Sequence, residues 1–181
     1  VSKEACPLNL APTASTTTQL ALGDALAVAL LDARGFKAED FARSHPGGSL
    51  GRRLLTHVSD VMRKDTQVPS VLPTASFSEL MQEMSRKGLG ASAIVNEQQE
   101  VLGIFTDGDL RRLVEKGLDL RSLVAQDVMH AKPRTVNQNA LAVEAAELME
   151  QYKITSVLVI NDAGQLSGAL NTNDLMRAKV I

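Results

Sequence analysis

The sequence predicts an α/β (α+β) fold in which one β-α-β-β-α unit is used twice, the two copies packing with pseudo-two-fold symmetry. Three observations carry this. Asp60-Val61-Met62 returns as Asp127-Val128-Met129, 67 positions on. From Glu79 the offset settles at 65, so that Met84, Asn96, Gly103, Asp109 and Leu110 recur as Met149, Asn161, Gly168, Asp174 and Leu175. Two copies are too few for a solenoid, so they must bury their apolar faces on each other, and a ligand cleft is expected between them.

The segment before the copies, residues 1–55, follows other rules. Residues 7–18 are rich in Pro, Ser and Thr and read as a loop. Residues 20–31 read as a strongly apolar helix whose Ala and Gly positions permit close packing, with Gly35 to end it. So apolar a helix needs partners that the rest of the chain does not offer, and it is expected to be poorly ordered or buried in a foreign contact. Residues 44–51 read as a loop and 52–58 as a link. The chain opens at Val1 with a polar–apolar mix typical of a domain interior, as the C-terminal part of something longer would.

The first copy, residues 56–118, begins with a short strand at 68–71. Ser76 and Glu79 form a capping-box pattern that opens a helix, with Phe77, Leu80, Met81 and Met84 on one buried stripe. Strands follow at 92–96 and 101–105, joined by a polar turn, and Thr106 caps a second helix. The second copy, residues 119–181, repeats this. It has a strand near Val136 and a helix with Leu141, Ala145, Leu148, Met149 and Tyr152 inward. Strands at 157–160 and 166–170 turn through Asp162-Ala163-Gly164, and a last helix starts at Asn171.

Composition sets limits on function. The 181 residues are 44% hydrophobic and 3% aromatic with a net charge of −2, which lacks the basic footprint and stacking platforms of a nucleic-acid binder. The single Cys6 excludes a disulfide framework and fits a reducing cytoplasm. No apolar run is expected to approach a membrane span. His45, His57, His130 and Cys6 lie at no short ligand spacing, so no metal site is expected. Gly47-Gly48-Ser49-Leu50-Gly51 satisfies G-x-S-x-G, but the residues before it do not read as the buried strand a nucleophile elbow needs. No G-x-G-x-x-G follows a strand, which leaves a dinucleotide enzyme unsupported.

The chemistry concentrates at one repeated junction, Gly103-Ile-Phe-Thr106-Asp-Gly-Asp109-Leu110 and Gly168-Ala-Leu-Asn171-Thr-Asn-Asp174-Leu175. Each places a hydroxyl or amide, helix-start N–H groups and a carboxylate together. The N–H groups suit a phosphate, and the carboxylate can accept two hydrogen bonds from a ribose diol. A single copy would be an ordinary helix cap; two in register favour a site.

This pattern, with D-V-M opening each copy, resembles the CBS domain, and the tandem over residues 59–181 resembles a CBS pair, or Bateman module. Such pairs usually bind adenosyl or other nucleotide ligands and regulate an attached domain. The resemblance implies ribose and phosphate contacts at Thr106 and Asp109 and again at Asn171 and Asp174. Asn171 departs from the usual Thr or Ser, so unequal sites are expected. Arg111, His130 and Lys132, with Lys64 and Arg134, could meet a phosphate or carboxylate.

Residues 1–55 resemble the end of the sugar isomerase (SIS) domain of arabinose-5-phosphate isomerases. The likeness rests on Lys3-Glu4-Ala5-Cys6-Pro7, the A-P-T-x-S-T-T run at 11–17, the A-L-G-D-A-L-A helix and F-A-R-S-H-P-G-G at 41–48. That family interconverts ribulose 5-phosphate and arabinose 5-phosphate on the route to Kdo and lipopolysaccharide. Proton transfer through an enediol needs a base and a hydroxyl-proton shuttle. The resemblance gives active-site roles to Glu4 and His45, and it implies an active site at a subunit boundary, where His45 could serve the neighbouring protomer. The family's other catalytic residues lie in a half of the SIS domain that no segment here supplies, so the chain alone is expected to be inactive. It implies a homo-oligomer, a dimer of CBS pairs within a tetrameric parent, and a regulatory ligand that is either CMP-Kdo or an adenine nucleotide. The reading from a different class is a ligand-free scaffolding pair.

Overall fold

A computed structural model of the chain describes residues 1–44, 48–117 and 119–181. His45, one of the expected site residues, lies outside them. Helix α1 (Ala14–Ala33) begins earlier than its apolar run, inside the stretch expected as a loop. Thr16 and Thr18 donate their hydroxyls to the Thr13 and Ala14 carbonyls at 2.9 and 2.7 Å, which lets these residues sit in a helix. Gly35, at φ 62°, turns the chain out of it. The expected disorder or foreign contact is not what is found: α1 is a formed helix with no buried residue, and Leu20, Leu22, Leu26 and Val28 are 61 to 71% exposed. Contrary to the sequence reading, its length and composition would also let it cross a membrane, although Asp24 and Asp32 interrupt the apolar surface.

Two short helices follow, α2 (Ala38–Ser44) and α3 (Ser49–Leu55). The second replaces the expected loop and link. Ser49 therefore opens a helix behind Gly48, and the element before it is another helix. Among the described residues no strand runs into Ser49, as a nucleophile elbow requires.

The first copy runs α4 (Val58–Val61), β1 (Ser70–Val71), α5 (Phe77–Lys87), β2 (Ala91–Val95), β3 (Val101–Thr106) and α6 (Asp107–Glu115). The second runs α7 (Ala125–Val128), β4 (His130–Ala131), β5 (Thr135–Asn137), α8 (Ala142–Tyr152), β6 (Ser156–Ile160), β7 (Leu166–Asn171) and α9 (Thr172–Arg177). The capping box of α5 forms as its residues require. Ser76 Oγ accepts the Glu79 N–H at 3.3 Å, and the Glu79 carboxylate accepts the Ser76 N–H at 2.7 Å. Phe77, Leu80 and Met84 are buried on the stripe, with Met81 at its edge. On α8 the buried residues are Ala142, Ala145 and Met149. Tyr152, expected inward, is exposed: it ends the helix just before Lys153 takes a left-handed conformation.

Strands β1 and β2 pair in parallel, β2 and β3 antiparallel, and β4 closes this sheet against β3; β5, β6 and β7 form the second sheet in the same senses. The opening helices cross between copies. Val58 and Ser59 donate backbone N–H groups to the Ala140 and Gln138 carbonyls at 2.9 Å each. Val58, Val61 and Met62 pack with Val136, Met149, Val157 and Leu170 of the second copy. In return the Ala125 N–H reaches the Ala75 carbonyl at 2.8 Å, and Ala125, Val128 and Met129 pack with Phe77, Leu80, Ile94 and Phe105 of the first. Each core is completed by the other copy's first residues.

That exchange explains two repeated residues at once. The Met of each D-V-M lies on the Gly of the opposite junction: Met129 on Gly103 and Met62 on Gly168. A Cβ on Gly168 would stand 2.8 Å from the Arg63 carbonyl oxygen, which is backbone and cannot swing away. Gly168→Ala is expected to destabilise the chain by about 1–3 kcal/mol, as overpacking does, read as a lower midpoint in urea.

One buried polar atom stands out on the inner face. Ser92 Oγ is fully buried and has no hydrogen-bond partner among the described residues. Its equivalent in the second copy is Val157, which is also fully buried. An unpaired buried hydroxyl costs about 1–3 kcal/mol, so Ser92→Ala is expected to raise the melting temperature, a gain of about 1 kcal/mol after the small loss of packing.

Candidate functional site

Each hairpin delivers its capping residue to the start of a helix. In the first copy Thr106 ends β3 and caps α6. Asp109 Oδ2 accepts from the Thr106 N–H at 2.9 Å and from its hydroxyl at 2.6 Å, and Oδ1 accepts from Arg112 at 2.7 Å. Burial alone would raise the Asp109 carboxyl, but the Thr106 hydroxyl, Arg112 and the Thr106 N–H together outweigh it and hold the acid below its ordinary range. The carboxylate is charged and 18% exposed.

Around it opens a cleft of about 780 Å³ between the copies, lined by both. Arg111 and Arg112 come from α6, while His130, Lys132 and Arg134 come from the start of the second copy. Ile154, Thr155 and Ser156 form the facing wall. The structure thus brings together Thr106, Asp109, Arg111, His130 and Lys132. It adds a residue that the sequence reading placed in the core: Tyr152, whose ring lies under the Arg134 guanidinium at 4.2 Å to the centroid. The signal was available in hindsight. A lone Tyr at a helix end, facing a basic segment, is amphipathic enough to line a wet cleft.

The equivalent cleft in the second copy, about 860 Å³, is differently occupied. Asn171 caps α9, its side-chain oxygen accepting the Asp174 N–H at 3.0 Å, and both residues are buried. Asp174 Oδ2 accepts from Arg63 Nε at 3.0 Å, and Arg63 Nη1 donates to the Lys87 carbonyl at 2.7 Å. Arg63 was not singled out from the sequence. Asp174 lines this cleft with Arg63, Arg86, Lys87 and Arg177.

Glu4 stands apart from both clefts, at the start of α1. Its carboxylate accepts from the Thr13 and Ser15 N–H groups at 2.8 and 3.1 Å. Hydrogen bonds from the Ser15 side chain and from the Thr13 and Ser15 backbone lower its pKa to about 2. Glu4 shares a shallow surface with Lys3, Cys6 and Ala14. Among the described residues no group of three or more His, Cys, Asp or Glu could hold a metal ion.

Comparison with known proteins agrees with this geometry. The CBS domain family matches residues 58–116 and 124–181. Arabinose 5-phosphate isomerase KdsD of Pseudomonas aeruginosa is 52% identical over all 181 residues, which cover 56% of that protein. KdsD of Escherichia coli K12 is 53% identical, again over the whole chain and 55% of its own length. The chain therefore spans about half the length of the curated relatives it matches. A CBS domain protein from Pyrobaculum aerophilum, solved in complex with AMP, superposes with a TM-score of 0.60 at 26% identity, over 66% of this chain and 89% of that one. A conserved protein from Pyrococcus horikoshii gives a TM-score of 0.60 at 25% identity, over 68% and 91%. A duplicated strand-helix-hairpin-helix unit, a capping carboxylate at each junction and a match over both copies leave one assignment: the chain belongs to the CBS domain family and carries two of its domains in tandem.

Proposed function

We propose that this chain is the ligand-sensing part of an arabinose-5-phosphate isomerase, with residues 1–55 as the end of its SIS domain. The observation that carries the sensing role is the first cleft. Asp109 presents a charged, partly exposed carboxylate at a helix start, the arrangement that grips a ribose diol beside a phosphate. Arg111, Lys132 and Arg134 supply more positive groups than one monophosphate uses, with the His130 ring beside them. That surplus favours a nucleotide carrying a second acidic group, such as CMP-Kdo, whose sugar carboxylate would meet them. The AMP held by the Pyrobaculum relative makes an adenine nucleotide the competing ligand.

In the complete enzyme Glu4 and His45 belong to the active site, working with residues outside this chain, and the chain alone does not isomerise the sugar. The α1 surface, largely apolar between Leu20 and Leu31 apart from Asp24, is covered there by the rest of the SIS domain, since such a helix belongs inside a larger core. The assembly is a cytoplasmic homo-oligomer in which CBS pairs dimerise. Calorimetric titration with CMP-Kdo and, separately, AMP tests the sensing role. Saturable binding of one of them is expected; flat heats for both, with unchanged melting across a panel of nucleotides, would leave the pair as a scaffold.

A further inference from the structure

The two clefts are built from one motif, yet their carboxylates are engaged differently. Beyond its own cap, Asp109 meets among the described residues only Arg112, whose side chain is 65% exposed. The equivalent contact on Asp174 is Arg177, likewise exposed, at 3.5 Å. Arg63 is the difference. Its Nε and Nη2 face Asp174 Oδ2 and Oδ1 at 3.0 and 3.5 Å, so one guanidinium edge addresses both carboxylate oxygens. Two side-by-side donors to one carboxylate are what a ribose diol would offer, and the planar fork of Arg presents them in fixed geometry. The third nitrogen is anchored on the Lys87 carbonyl at the C-terminal end of α5, where the helix dipole favours a cation.

The residue at the same place in the first copy is His130. Both follow a D-V-M, and both lie opposite equivalent strand positions, Arg63 across from Ala169 and His130 across from Ile104. His130 is exposed, and among the described residues no hydrogen bond joins it to Asp109. Withdrawing Arg63 would leave Asp174, 8% exposed, without its nearest cation. A neutral diol cannot replace that charge.

We infer that Arg63 closes the second cleft to nucleosides, so that the chain holds one nucleotide, in the first cleft, and that this single residue sets the number of occupied sites. The inference rests on the reading of the first cleft as a nucleotide site. The test is calorimetric stoichiometry with AMP and, in parallel, CMP-Kdo on the 181-residue chain. It compares wild type, Arg63→His, and Arg63→His combined with Asp109→Ala or with Asp174→Ala. Arg63→Gln, which keeps a donor for the Lys87 carbonyl, stands in if Arg63→His fails to fold. The expected result is about one equivalent for wild type and about two for Arg63→His. The added equivalent should survive Asp109→Ala and vanish with Asp174→Ala. Two equivalents in wild type, or one in both proteins, would overturn the closing role and leave the first cleft standing. Binding only after Arg63 is replaced would support the closing role and remove the first cleft. No binding by any of the proteins would overturn the nucleotide reading and the inference with it.

Discussion

Severed between its copies, the chain is expected to give two pieces that do not fold apart and do fold together. A piece ending at Gly117 keeps Phe77, Leu80, Met84, Ile94 and Phe105 but loses the apolar residues that cover them, namely Leu120, Leu123, Ala125, Val128 and Met129. One of these is an alanine and the others are partly buried, so at about 1 kcal/mol each the loss is roughly 5 kcal/mol, comparable with the whole stability of a marginal domain, before the uncovering of Phe77, Leu80 and Phe105 is added. The remaining piece loses Val58, Val61 and Met62 from its own core. Each piece alone should show no cooperative transition in urea, and an equimolar mixture should recover one. A cooperative transition in either lone piece would mean that the exchanged helices are ornament rather than core.

Asp109→Ala is expected to weaken nucleotide binding at the first cleft by about 100-fold or more, since two charge-assisted hydrogen bonds to a diol contribute roughly 3 kcal/mol or more. The same change removes half of the capping box, worth about 1 kcal/mol of stability, so melting should fall slightly while the fold persists. Asp109→Asn separates the effects, because an amide keeps the shape and loses the charge. The measurement is a titration of each variant beside a melting curve. Binding unchanged in both variants would remove Asp109 from the site, whatever the ligand.

Much of the fold was legible because local and global signals agree in the copies. Ser76 and Glu79 cap a helix by their own chemistry, and Phe77, Leu80 and Met84 can share a face only at helical spacing. The first 55 residues were harder. The start of α1 is dominated by Ser and three consecutive Thr, which are weak helix formers, and its helix is supported by hydroxyl-to-carbonyl bonds that composition does not reveal. The Gly-rich stretch before Arg52 looked like loop because Gly and Ser favour turns, yet Ser49 begins a helix. The motif read as a site could be found because it occurs twice. Arg63 could not, because nothing in its neighbours says that it reaches Asp174, a residue 111 positions away. Tyr152 was lost to the same cause: a helical stripe extended by one turn points inward on paper, whereas the real helix ends there.

The crossing of the opening helices also sets a timetable for synthesis. When Phe105 leaves the ribosome, the large residues of β1 to β3 are all free to pack, but the lid made by Ala125, Val128 and Met129 has yet to emerge. At 5–20 residues per second the wait from Phe105 to Met129 is about 1–5 s. During that interval Phe77, Leu80 and Ile94 have one another and Phe105 to pack against but not their cover, whereas the second copy emerges with its cover, Val58 to Met62, already made. The newborn first copy is thus the natural client of a chaperone. Slowing translation while Met129 is still inside the ribosome would lengthen its exposure, while slowing it after Met129 has emerged would not.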